Sequence, residues 1–233
     1  MRSISRWLDG VAKVAELAKQ GAFPSVLAAA CASFGFVFVH PFLDGNGRLH
    51  RFLLHHLLRL GGFTPRRLVV PVSVVMQSNA AQYAEVLRQY SAPRTAKLTY
   101  TLVNEYDPIT VTPPQPRYLY AYFDATLLCE FVGACISQAI DRELPLELEY
   151  LRSYDRALEQ VRQWLDAPQT ELDRLLRYIA QNDGKLSNNE RGQFPLLDDG
   201  AVNRVEGVVR TAFKDYWALQ SKGNGDTSAT GRR

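Results

Sequence analysis

Twelve consecutive residues, His40-Pro41-Phe42-Leu43-Asp44-Gly45-Asn46-Gly47-Arg48-Leu49-His50-Arg51, bring imidazole, carboxylate, glycine and guanidinium groups together. Gly45 and Gly47 permit backbone conformations closed to other residues, and Asn46 tolerates left-handed geometry. A turn of this kind can point several N–H groups into one concavity and hold an anion there. Arg48 and Arg51 add two guanidinium groups, which pair bidentately with phosphate. Asp44 would repel a phosphate directly. A hard cation between them resolves the conflict, and one carboxylate with phosphate oxygens and waters is how magnesium is usually held. His40 can be neutral near pH 7 and accept a proton from an incoming hydroxyl. Phe42 is the apolar plug that would hold the loop against a core. The chemistry implied is a polyphosphate held with magnesium beside a base for an incoming hydroxyl.

Helices must position these groups. Ile4, Trp7, Leu8, Val11, Val14, Ala15 and Ala18 form one stripe at helical spacing, which predicts a helix over 4–20 ending at Gly21. Pro24 suits a first helical residue, and Ser25 to Val39 is apolar nearly all round, so a second helix there is buried. A third helix is predicted from Arg48 to Leu60, stopped by Gly61-Gly62. The polar segment therefore sits at a helix N-terminus, where free N–H groups and the positive dipole end favour an anion. Arg48 in the first turn is electrostatically misplaced by roughly 0.3–1 kcal/mol unless an anion compensates it.

Further along, Val74 to Tyr90 reads as a helix closed by Ser91-Ala92-Pro93, and 97–112 as a small β-hairpin around Asp107-Pro108. Pro113-Pro114-Gln115-Pro116 marks the expected boundary between a catalytic core (1–112) and a C-terminal helical domain (117–220). Helices are predicted over 117–142, 146–166, 169–182 and 201–219, and the Gly/Ser/Thr-rich stretch 221–233 is expected to be disordered. The fold class is mainly α.

Bulk composition narrows the function classes. The 233 residues are 46% hydrophobic and 22% charged, enough for a substantial core. A formal net charge of +3 is too small to suggest nucleic-acid binding. Three cysteines without a CxxC pair suit reduced thiols in a cytosol, and no apolar run reaches membrane-span length. Asp9, Lys13, Glu16 and Lys19 interrupt any signal-peptide profile. The expected location is the cytoplasm.

The twelve-residue segment matches the Fic family motif, HxFx(D/E)GNGRxxR, at every defined position, and the chain resembles bacterial Fic (Fido) proteins. Leu27-Ala28-Ala29-Ala30 leading into Phe34-Gly35-Phe36-Val37-Phe38-Val39 looks like the family's central helix, and Tyr120-Ala121-Tyr122-Phe123-Asp124-Ala125-Thr126 like its C-terminal helical extension. The resemblance implies a protein adenylyltransferase that moves AMP from ATP to a Ser, Thr or Tyr hydroxyl and releases pyrophosphate. His40 would be the base and Asp44 would hold Mg2+. Gly45, Asn46 and Gly47 would cradle the phosphates, with Asn46 near the α-phosphate. Arg48 would bind the β- and γ-phosphates, and Arg51 the γ-phosphate. Glycine rather than lysine at position 47 implies AMP transfer instead of phosphorylation. The implied partners are a target protein and the chain itself, with no nucleic acid and no membrane.

Two family features are not found. The residues before His40 read as two helices, with no β-hairpin flap to align a target segment by strand addition. This implies an N-terminally truncated form that binds nucleotide but modifies proteins weakly. The regulatory (S/T)xxxE(G/N) signature is also missing, since Ser187-Asn188-Asn189-Glu190-Arg191 has the wrong spacing. His50 and His55, five apart, do not share a helix face as a zinc pair would, and are expected to be partly exposed, with His56 near the core. Asp198-Asp199-Gly200 reads as a turn. The rival functions are a nucleotide-binding or protein-interaction remnant without transfer activity, and a helical DNA-binding regulator using 169–219. Asp198, Asp199 and Glu206 weigh against the regulator.

Overall fold

A computed structural model describes residues 2–65, 68–101, 110–112, 117–120 and 124–226. The fold is mainly α, with one two-stranded sheet among the described residues. The chain forms two compact units, Met1–Ile140 and Asp141–Arg233.

In the first unit, α1 (Arg2–Lys19), α2 (Ser25–Val39) and α3 (Asn46–Leu60) follow the predicted order. Helix α2 is the central one, as its nearly unbroken apolar sequence requires. Ala28, Ala29, Ala30 and Phe34 are fully buried, and the alanines let neighbouring helices approach closely. Helix α3 packs along α2 through Leu54, Leu57 and Leu58. The start of α2 is tied to the end of α3 by the Ser25 hydroxyl, which donates to the Gly61 carbonyl at 2.7 Å. A side chain at Gly61 would meet Ser25 Cβ at 2.7 Å, so this crossing needs a glycine. From α1, Val11, Ala15 and Ala18 reach the core, while Leu8 stays half exposed.

The helix expected over 74–90 is two helices, α4 (Val72–Ser78) and α5 (Ala80–Thr95). Asn79 leaves helical geometry between them, and its carboxamide donates to the Val75 carbonyl and to Gln138 Oε1. An asparagine that bonds the preceding turn offers the backbone an alternative to helix continuation. Helix α5 also passes through Pro93 to Thr95, with Arg94 donating to the carbonyls of Tyr90 and Leu119. Strands β1 (Thr99–Thr101) and β2 (Thr110–Thr112) pair antiparallel, Tyr100 opposite Val111. The turn expected at Asp107-Pro108 and the boundary expected at 113–116 lie outside the described residues. A short 3-10 turn (Arg117–Tyr120) precedes α6 (Thr126–Gln138), whose Leu128, Phe131, Val132 and Cys135 complete the first unit's core. Helix α6 therefore belongs to the unit of α1–α5, and the division between units falls within a π-helical stretch, Ala139–Glu143.

The second unit has its own core. Ala157 and Val161 of α7 (Leu144–Arg162) meet Leu172, Leu175, Leu176 and Ile179 of α8 (Gln169–Gln181). After the short α9 (Asn188–Arg191), α10 (Asp199–Ala212) adds Val205 and Val209, and α11 (Lys214–Asp226) follows Phe213. Two polar segments find their use here. The Ser187 hydroxyl caps α9, accepting the Glu190 N–H and donating to the Glu190 carboxylate, and the Asp198 carboxylate accepts the Ala201 N–H at 2.6 Å to cap α10. Helix α11 reaches Asp226, into the stretch expected to be disordered. No helix among the described residues is long and apolar enough to cross a membrane.

Candidate functional site

The link between α2 and α3 is built from strained and committed parts. Helix α2 ends at His40, which adopts left-handed geometry (φ 44°, ψ 57°) and donates its N–H to the Phe36 carbonyl at 3.0 Å. Such a conformation costs a non-glycine residue about 1–3 kcal/mol, so the surrounding structure holds His40 there. The chain then turns through Gly45 at φ 87° into α3.

Asn46 holds this turn closed. Its carboxamide accepts the Phe42 N–H at 3.2 Å and donates to the Phe42 carbonyl at 2.5 Å, and the residue is buried. Both ends of the carboxamide are spent on the loop. The Phe42 ring is half exposed and reaches the Phe36 ring at 6.2 Å, a lighter anchor than the plug expected from sequence.

Helix α3 has no side-chain cap, and its first main-chain bond is donated by Leu49 to the Gly45 carbonyl. The N–H groups ahead of Leu49 lie at the open, positive end of the helix. Around that end, His40, Asp44, Gly45, Gly47, Arg48 and Arg51 line a cleft of about 270 Å³. Arg48 Nη2 lies 3.1 Å from Asp44 Oδ2, and both side chains are largely exposed. The group expected to bind phosphate and the group expected to bind a cation thus neutralise each other across one helical turn. Of the sequence-predicted site residues, His40, Asp44, Gly45, Asn46, Gly47, Arg48 and Arg51 line this cleft, and Phe42 does not.

Two of the histidines, His50 and His56, behave differently from expectation, while His55 is partly exposed as expected. His50 is buried, with Nδ1 2.8 Å from the Ser33 main-chain oxygen. His55 is half buried, its Nε2 3.1 Å from Ser73 Oγ. His56 is exposed and stacks on Phe52. The reversal of His50 and His56 follows from helical phase, since Asn46, His50, Leu54, Leu57 and Leu58 make up the inward face of α3. Burial pushes the pKa values of His50 and His55 below the ordinary histidine value. Among the described residues no group of three or more His, Cys, Asp or Glu side chains could hold a metal. Burial also raises the Cys31 and Cys135 thiols to about 11, which makes them poor nucleophiles.

A second cleft of about 280 Å³ adjoins the loop and shares Gly47 and Arg51 with it. Its other walls come from His50 and from Met76, Gln77, Ala80 and Tyr83 of α4 and α5. Sequence reasoning missed this cleft. The one usable signal was the spacing of four that places His50 on the buried face with Asn46 and Leu54.

No curated protein and no solved structure matches the chain. The Fic/DOC family matches over residues 2–58, a span that takes in α1, α2, the loop and nearly all of α3. That span supplies every residue of the loop cleft, so the similarity to the Fic/DOC family includes the whole of that site.

Proposed function

We propose that the chain is a protein adenylyltransferase that moves AMP from ATP onto a Ser, Thr or Tyr hydroxyl of a target protein, with itself as a further acceptor. The observation that carries this reading is one cleft lined by a proton acceptor, an uncapped helix N-terminus behind a positive-φ glycine, and two guanidinium groups. The Fic/DOC match supports AMP transfer or a related group transfer.

The residues divide the work as follows. His40 accepts the hydroxyl proton, and the oxygen forms its bond to the α-phosphorus as the bond to the leaving pyrophosphate breaks. The main-chain N–H groups at Gly45–Gly47 face the phosphate charge. Arg48 and Arg51 hold the departing β- and γ-phosphates. Such a site acts by positioning and by stabilising charge, as in phosphoryl transfer generally. The residues present fit a magnesium ion that arrives with the nucleotide. Asp44 is a single exposed carboxylate, too little for an all-protein site but sufficient beside phosphate oxygens. Asp44 would hold the ion, which would offset phosphate charge when bound.

Calorimetry with Mg·ATP and incorporation of labelled AMP into protein test this reading. Binding with incorporation is expected. Binding with no label in any acceptor would favour a nucleotide-binding protein without transfer activity, and no binding would remove the loop from nucleotide chemistry.

A further inference from the structure

Val39, Phe42 and Leu43 bracket His40 in the chain, and all three present apolar surface to solvent. Val39 is 42% exposed, Phe42 is 52% exposed, and Leu43 is exposed in full. Single exposed apolar residues are ordinary on a protein surface. Three within five positions, around one side chain with chemistry to offer, mark a surface for interaction. Leu43 also belongs to the wall of the loop cleft, together with His40 and Asp44.

The loop holds this surface in place. Both main-chain groups of Phe42 are bonded to the Asn46 carboxamide, and Asn46 itself is buried. The Phe42 ring lies 6.2 Å from the Phe36 ring, and the His40 N–H is donated to the Phe36 carbonyl. An apolar side chain on a main chain that is already fixed gives up little backbone freedom when it docks.

What covers the surface follows from the chemistry of His40. A hydroxyl that gives its proton to this imidazole must come within roughly 2.6–3.2 Å of it. The polypeptide that carries the hydroxyl then lies over the cleft wall, and so over Leu43. Three residues separate Leu43 from His40, so their Cα atoms are at most about 11 Å apart. An extended segment spans that distance in about three residues, at roughly 3.3 Å each.

We propose that Val39, Phe42 and Leu43 form the docking surface for the acceptor protein, and that Leu43 selects a segment with a large apolar side chain within three residues of the modified hydroxyl. The inference rests on the reading of His40 as the base of AMP transfer. Nucleotide is held by other groups of the cleft, so this surface acts on the choice of acceptor alone.

The test is transfer of labelled AMP by the full chain, with Mg·ATP, onto synthetic peptides that carry one central Thr in a Gly/Gln background. Leu or Asp is placed in turn at each of the six flanking positions. At one or more positions Leu is expected to lower the peptide KM by about tenfold relative to Asp, with kcat little changed. In Leu43→Gln that preference should fall to within about twofold while Mg·ATP affinity by calorimetry holds, and Leu43→Met should keep it. Leu196→Gln, which alters a similarly exposed leucine of the second unit, should also keep it. Equal KM for the Leu and Asp peptides, or an undiminished preference in Leu43→Gln, would overturn the docking surface and leave the transferase reading standing. Label in the chain itself but in no peptide would do the same. Absence of label from every peptide and from the chain would overturn the proposed function and this inference with it.

Discussion

At the scale of single residues, the proposed function separates binding from chemistry within the loop. Arg48→Ala removes a guanidinium from the cleft, whereas Arg59 lies on α3 outside it. Arg48→Ala is expected to weaken Mg·ATP several-fold to a hundredfold, the usual range for a charged hydrogen bond, and Arg59→Ala to leave it unchanged. Equal losses in calorimetry would contradict a phosphate site at the loop. His40→Ala should lower AMP transfer by on the order of a hundredfold or more while ATP affinity stays close to wild type. Retention of labelled AMP incorporation at the wild-type rate would take His40 out of the mechanism. The buried histidines set a pH response. His50 and His55 are held below the ordinary value of 6.5, so the unfolded chain binds more protons than the folded one as acid is added. Their contribution is complete above about 6.5 and is lost as pH falls through the depressed folded values. Thermal melts should show a fall below pH 6.5 that becomes shallower in His50→Leu. An identical acid limb in that variant would count against a buried neutral ring.

At the scale of elements, α2 and α3 form a clasp whose two ends are made differently. The loop end is closed by Asn46 on Phe42, the far end by Ser25 on Gly61. Gly61→Ala is expected to cost about 1–3 kcal/mol, because the added methyl runs into Ser25. Adding Ser25→Gly should recover part of that loss in the same thermal melt, and a neutral single substitution would show that the crossing tolerates a side chain. These elements were the legible part of the sequence. An all-round apolar run, a polar break and a Gly-Gly stop allow no other arrangement of residues 25–62. What escaped was decided by individual side chains. Nothing in the pattern of 74–90 shows that Asn79 bonds back to Val75 and ends a helix. His50 and His56 changed places because the inward stripe of α3 runs through Asn46, His50, Leu54, Leu57 and Leu58, and His56 falls off it. Asp198 read as part of a turn and serves as a cap, since a carboxylate before a helix satisfies the same N–H groups that a turn would.

At the scale of the whole molecule, charge is divided unevenly between the two units. Residues 1–140 hold 13 Lys and Arg against 8 Asp and Glu, and residues 141–233 hold 14 against 16. The unit that contains α8–α10 is thus the more acidic one, so a DNA-binding role for 169–219 is not expected. Duplex DNA titrated at 50 and 200 mM salt should show no salt-dependent binding, whereas a steep salt slope would revive that role. Each unit closes its own core, Phe34 and Leu54 in the first and Leu176 and Phe213 in the second. Leu176→Ala is expected to cost about 2–5 kcal/mol by leaving a cavity. Hydrogen exchange should report the loss in residues 141–226 while Mg·ATP affinity, which the proposed function assigns to residues 40–51, holds. Weakened nucleotide binding in that variant would reveal a dependence of the loop on the second core.

Under the proposed function, the Asp44–Arg48 pair makes cation and nucleotide allies in entry. While the pair is intact, each partner is a competitor for the other's ligand. A cation that engages Asp44 releases Arg48 for phosphate, and a phosphate that engages Arg48 releases Asp44 for the cation. By linkage each must raise the affinity of the other by one common factor. The exposure of both side chains caps the share of that factor due to the pair itself, since such pairs are worth about 0.2–1 kcal/mol, at most roughly fivefold. Asp44→Asn should accordingly bind ATP better than wild type when magnesium is withheld, and should gain little when it is supplied.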